Sequence, residues 1–214
     1  MTAVIIIYGI FMLAYMVIKA LKIGQPYRGL VKVVLSTTFL GVGIYYVAKS
    51  GWQLQHLLVG VALLFAWIGD FFLIFKHKSN LFHAGCVAFG IANAFLIAHS
   101  LLTYTWQWWS LILFAVFMAV IVVCQCKGVF SFGHSKLYLN FYSITVGYNG
   151  LLGLAVAVTT NSLPALCFGL GSLLFLASDV VLGLFLFKIK KWQMDVLNTL
   201  LYFSALMLIA LSIA

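Results

Sequence analysis

Asp70, Asp179 and Asp195 are the only acidic residues in this chain of 214, and each stands inside or at the edge of an apolar run. An ionisable side chain near the middle of a bilayer costs at least about 2.5 kcal/mol, so a carboxyl group kept there marks a site by default. Two carboxyl groups at one depth suit acid and base work, one giving a proton while the other holds a charge or activates water. Asp70 lies six residues before Lys76 and Asp179 nine before Lys188, roughly 9 and 14 Å along a helix. The spacing predicts both in the same half of the membrane, above the lysines that end their segments. Asp195 reads differently. It falls in the first turn of a predicted helix, where a carboxylate is favoured by the helix dipole and lies near Lys191, so a supporting role is expected.

Other polar residues fall on helical faces. Asp195, Asn198 and Tyr202 recur at i, i+3 and i+7. Ser172 and Asp179 share a face of one segment, as do Tyr142 and Asn149 of another, and Asn93 and His99 stand in the fourth apolar run. These stripes predict a common, water-accessible interior around the two aspartates. His99 is expected well above them, as a proton carrier, a lid residue or a satisfied histidine at the outer interface.

Several chemistries lack their residues. His99 has no clear partner for a haem, and His83 with Cys86, or Cys124 with Cys126, makes at most half a metal site. No lysine lies deep enough in a segment for a Schiff base. No glycine-rich phosphate loop opens a helix, and there is no G-x-S-x-G elbow. No metal and no organic cofactor is expected.

Composition dictates the elements that must position these groups. The chain is 65% hydrophobic and 7% charged, with a mean hydropathy of +1.19. Soluble domains carry about 25% charged residues, so a soluble globular fold is excluded, and so is disorder. The fold expected is all-α, a polytopic membrane bundle of eight transmembrane helices forming one domain over residues 1–214. Apolar runs lie at about 3–18, 30–48, 54–75, 80–103, 107–126, 137–159, 163–187 and 194–214, near the roughly 20 residues that a crossing needs. The first run has no basic residues before it and no small-residue cleavage site after it, so it reads as a span and not a signal peptide. Pro26 is expected in the first loop and Pro164 at the start of the seventh helix. Ala84, Ala88 and Ala92, and likewise Gly147, Gly150 and Gly153, predict seams of close helix packing. The four cysteines read as small buried hydrophobes.

The formal net charge is +9. Its cations sit in short gaps between apolar runs, a topology signal and not the basic face of a nucleic-acid partner. The gaps after the first, third, fifth and seventh runs hold Lys19, Lys22, Arg28, Lys32, Lys76, Lys78, Lys127, Lys136, Lys188, Lys190 and Lys191; the opposite gaps hold only Lys49. That bias places the basic loops in the cytoplasm and both termini outside it. The expected setting is a bacterial cytoplasmic (inner) membrane, with membrane lipids as the surroundings.

Three stretches carry a resemblance: IGDFFLIF at 68–75, AGCVAFGIANAFLIAHSLLTY at 84–104 and GSLLFLASDVVLGLFLF at 171–187. In order and spacing they resemble the YhhN-like lysoplasmalogenase family. The matching positions are Gly69, Asp70 and Leu73; Phe95, Ala98 and His99; Gly171, Phe175, Ser178 and Asp179; then Tyr202, with Lys32 earlier in the chain. The sequence departs from the pattern at Val33, Leu102 and Leu206. The resemblance covers nearly the whole chain and implies an eight-span hydrolase that cleaves the vinyl ether bond of a lysoplasmalogen, a lysophospholipid. The products would be a fatty aldehyde and a glycerophospho-ethanolamine or -choline, with no cofactor. Protonation at carbon gives an oxocarbenium ion that water captures, which fits an acid/base pair like that of glycosidases. Asp70 and Asp179 are expected to form that pair, in either order. Asn149, Asn198 and Tyr202 are expected to orient water and the ether oxygen, and Lys32 with the cytoplasmic lysines to hold the lipid phosphate. The competing expectation is a membrane transporter or lipid-binding protein that uses the same aspartates for ion or proton coupling.

Overall fold

A computed structural model describes residues 2–21, 24–75, 78–129 and 133–214. Its helices are α1 (Thr2–Ala20), α2 (Gln25–Lys49), α3 (Leu54–Ile74), α4 (Ser79–Thr103), α5 (Trp109–Cys126), α6 (Lys136–Thr159), α7 (Leu163–Phe187) and α8 (Trp192–Leu211). A short 3-10 turn, Gly133–Ser135, leads into α6. All eight helices are long and apolar enough to cross a membrane. In hydrocarbon a helix satisfies its own backbone groups, and no strand occurs among the described residues. Of the loop cations, Lys22 and Lys76 lie outside the described residues.

The helix ends follow the hydropathy closely except at α2. It begins at Gln25, five residues before the expected start at 30, and Pro26 stands in its first turn instead of in the loop. The first turn of a helix has no intrahelical use for its N–H groups, so proline is accommodated there. Arg28 and Lys32 dilute the hydropathy of these opening turns. Pro164 occupies the first turn of α7 as expected, and Ser162 caps that helix by accepting from the Ala165 N–H at 3.4 Å.

Packing sorts the helices into an inner and an outer set. α3 lies on α4, α7 on α8 and on α6, and contacts of α4 with α6 and of α2 with α3 and α8 close the group. Phe39, Phe168, Phe175 and Phe203 are fully buried between them. α5 packs chiefly on α6 and buries only Ser110. Its outward Ile112, Val116, Val120 and Val123 are exposed, which suits a face whose solvent is lipid.

The glycine seam of α6 serves two neighbours. Gly150 faces Leu176 and Gly153 faces Ser172, both on α7, whereas Gly147 faces Phe117 on α5. On the α7 side, a Cβ at Gly169 would meet the Gly153 carbonyl oxygen, and would lie 2.6 Å from Ala157 Cβ and 2.9 Å from its backbone nitrogen. Backbone atoms cannot swing away as a side chain can. Gly169→Ala is therefore expected to destabilise the bundle by about 1–3 kcal/mol through overpacking. Gly41→Ala, whose Cβ meets nothing within 4 Å, is the matched control. Thermal unfolding in detergent checks the pair, and equal melting temperatures would refute the tight α6–α7 contact.

Candidate functional site

Where α1, α3 and α7 end and α2, α4, α6 and α8 begin, the helices part around a cavity of about 210 Å³. All three acidic residues of the sequence line it. Three cations join them: Lys19 from α1, and Arg28 and Lys32 from α2. Leu73, Phe82, Phe89, Leu139, Leu182 and Leu186 supply apolar wall. α8 packs against both α3 and α7, so the two aspartates reach one cavity through a shared neighbour and not through side-by-side helices.

Asp70 sits in the last turn of α3 and is 2% exposed. Its Oδ1 lies 2.9 Å from Lys32 Nζ, and its Oδ2 accepts a hydrogen bond from Ser36. Lys32 and Ser36 are four residues apart on α2 and so share a face; one helix thereby holds both carboxylate oxygens. The neighbouring Gly69 makes room for this. A Cβ there would come within 2.7 Å of the Phe89 ring, whose residue also lines the cavity.

Asp179 has a different partner. Its Oδ2 accepts from the Tyr142 hydroxyl at 2.6 Å, and no lysine or arginine among the described residues is within ion-pair distance of it. One carboxyl group is thus matched by a full cation and the other by a neutral donor.

Asp195 is in the first turn of α8 as expected, but its expected neighbour Lys191 is not its partner. It pairs instead with Lys19 at 2.8 Å, which also donates to Thr199 Oγ1 at 2.6 Å. The last turn of α1 lies beside the first turn of α8, and this packing, invisible in local spacing, selects the pair. Asn198 and Tyr202 line the same cavity. The Tyr202 ring packs 5.9 Å from Phe89 and 5.6 Å from Phe175. Its hydroxyl is buried beside Asp70 and within electrostatic reach of Asp179.

The other predicted site residues lie elsewhere. Asn93 donates to the Phe89 carbonyl at 2.9 Å and accepts from Asn149 at 2.9 Å. Ser172 donates to Asn149 at 3.5 Å, so this fully buried group ties α4, α6 and α7 together in mid-bundle. His99, 2% exposed, belongs to a third group near the far end of α4. Its Nδ1 bonds the Gln55 carbonyl at 2.7 Å, and its ring packs on Phe168 and Tyr104 with centroids 5.0 and 5.8 Å away. Burial pushes the Tyr104 hydroxyl up to about 12, so it stays protonated at neutral pH. The single polar interior expected from the stripes is divided into three separate clusters.

The structure adds Arg28, Lys19, Ser36, Tyr15 and Cys86 to the neighbourhood of the aspartates. Arg28 was visible in sequence only as a topology signal and Lys19 only as one of the cytoplasmic lysines, while Ser36 shows one usable sign, its i+4 spacing from Lys32. Among the described residues no three His, Cys, Asp or Glu side chains converge as a metal site requires.

The sequence model of one family, described as the YhhN family, matches residues 27–213. That range contains every residue of the cavity except Tyr15 and Lys19. No curated protein and no solved structure matches the chain.

Proposed function

Since the chain belongs to the YhhN family, known as lysoplasmalogenase-like, we propose that it is a membrane-embedded hydrolase of vinyl ether lysophospholipids. Its substrate is a lysoplasmalogen, and its products are a fatty aldehyde and a glycerophospho-headgroup. The observation that carries this reading is the unequal partnering of Asp70 and Asp179 in one cavity. Acid/base cleavage needs one carboxyl group that holds a proton and one that stays ionised. A carboxylate beside an ammonium is the natural anion, which suits Asp70. Asp179, matched by a phenol and by no cation, is the natural acid.

In this scheme Asp179 gives its proton to the alkenyl carbon one bond removed from the ether-bearing carbon. The resulting oxocarbenium ion is stabilised by the Asp70 carboxylate, which also draws a proton from the attacking water. A new carbon–oxygen bond forms a hemiacetal. Its collapse breaks the old ether bond: Asp70 gives the proton it took from water to the glycerol oxygen, the hemiacetal hydroxyl gives its proton back to Asp179, and the aldehyde is released. Asn198 and the Tyr202 hydroxyl, both on the cavity wall, orient the water and the ether oxygen in this scheme. Asn93, Asn149 and His99 support the bundle at a distance from the reacting atoms.

The cavity volume supports a lipid with one chain. About 210 Å³ is room for a polar head and the first chain atoms, with the remaining hydrocarbon left among the helices or in the bilayer. The lysine bias of the loops supports a cytoplasmic orientation for the cavity end, on the inner leaflet of a bacterial cytoplasmic membrane. Purified protein in detergent is expected to release aldehyde from a 1-alkenyl lysophospholipid and to leave the matched 1-acyl ester intact. Fatty acid released from the ester, or no aldehyde from the alkenyl lipid, would overturn the proposal.

A further inference from the structure

Two of the three cations in the cavity are already matched by carboxylates. Lys32 lies 2.9 Å from Asp70 and Lys19 lies 2.8 Å from Asp195. The sequence contains no acidic residue beyond these two and Asp179, and none of the three is within ion-pair distance of Arg28. The Arg28 Nε is buried with no hydrogen-bond partner, although its residue lines the cavity and its charge reaches the buried Tyr15. A buried donor on a charged group that lacks an acceptor is costly, and natural structures rarely leave one without a reason. Guanidinium is also the side chain whose planar fork fits the oxygens of a phosphate.

We propose that Arg28 is the anion-binding group of this site and takes the phosphodiester monoanion of the substrate headgroup. The inference rests on the hydrolase reading and sharpens it, because it moves phosphate recognition from the paired lysines to the one arginine of the sequence. With Asp70 and Asp195 each neutralised and Asp179 carrying the proton it donates, the cavity has one positive charge left over. The single negative charge of the phosphodiester group matches it at Arg28. The phosphate-free analogue, an alkenyl glycerol, leaves Arg28 without its acceptor and is selected against.

The test separates binding from catalysis by using ethers that cannot be cleaved. Titration of the purified full chain in detergent compares 1-O-alkyl-glycero-3-phosphocholine with 1-O-alkylglycerol of the same short chain. Wild type is expected to prefer the phosphate-bearing ether by about 10–100-fold, the range for a hydrogen bond to a charged group. Arg28→Gln is expected to remove that preference, Arg28→Lys to restore part of it, and the exposed Lys190→Gln to leave it intact. Preference that survives Arg28→Gln in a folded protein, or that is absent from wild type while both ethers bind, overturns the role of Arg28 and leaves the hydrolase reading standing. Failure of wild type to bind either ether overturns both. Competition distinguishes the source of the anion: glycero-3-phosphocholine is expected to displace the ether lipid and inorganic phosphate is not. Equal displacement by inorganic phosphate overturns the headgroup assignment.

Discussion

Asp179→Asn is expected to lower aldehyde release by about 10²–10⁴-fold, the usual worth of a positioned acid or base, in a protein that remains folded. The amide keeps the shape of the carboxyl group and an oxygen to accept the Tyr142 hydrogen bond, which is 2.6 Å long in the native protein. No ion pair is broken, because Asp179 has none among the described residues. What the variant lacks is the proton that the proposed mechanism assigns to Asp179. A coupled aldehyde assay beside size-exclusion chromatography measures both consequences. Activity within a few-fold of wild type would remove Asp179 from the chemistry, whatever the state of the fold.

Asp70 behaves differently under the same replacement. Asp70→Asn leaves the Lys32 ammonium without its counter-charge, at a position where the aspartate side chain is only 3% exposed. Lys32→Met leaves the reverse, a carboxylate held by Ser36 but by no cation. Breaking a buried pair from one side costs about 3–5 kcal/mol, whereas replacing both members by apolar groups is often neutral or stabilising. Each single variant is thus expected to unfold at clearly lower temperature, and the double variant Asp70→Leu, Lys32→Met to recover most of the loss. All three should be inactive. The double-mutant cycle separates the structural contribution of Asp70 from the catalytic one proposed for it, since stability is expected to return and activity is not. Single variants as stable as wild type would show that the pair is solvated in the working protein, which would also weaken the case for Asp70 as the fixed anion.

The eight spans were legible because hydropathy over some twenty residues answers a simple question of solvent, and hydrocarbon admits few backbone conformations. The start of α2 was not, because its opening turns face the cavity and carry Arg28 and Lys32, so they read as loop. The candidate pair was legible for the same solvent reason: an acid inside an apolar run is conspicuous. The partners were not. Lys19 lies 176 positions from Asp195, and nothing in local spacing prefers it to Lys191. Helical periodicity gives the face of a helix on which Asn149 or His99 stands, but not which neighbour closes over that face. Asn149 is met by Asn93 and His99 by the Gln55 carbonyl, so two stripes that pointed inward ended in their own bonds. Arg28 was masked by topology, where a cation near a span end is the ordinary case.

Confining every acidic side chain to one cavity has a consequence for the lipids outside it. On the cavity's side Lys78, Lys127, Lys136, Lys188 and Lys191 are exposed, and no carboxylate of the sequence remains to offset them. Such a rim attracts acidic phospholipids by about 1 kcal/mol per cation near the surface, over a range of about 10 Å at moderate salt. The protein therefore shapes its own annulus. Lipids that co-purify with it are expected to be enriched in phosphatidylglycerol-like headgroups over the bulk extract, and mass spectrometry of the detergent-solubilised sample reads this directly; an unenriched set would mean the rim is screened. A lysophospholipid bound as proposed would then reach the mouth through a patch of membrane whose composition this basic rim had biased.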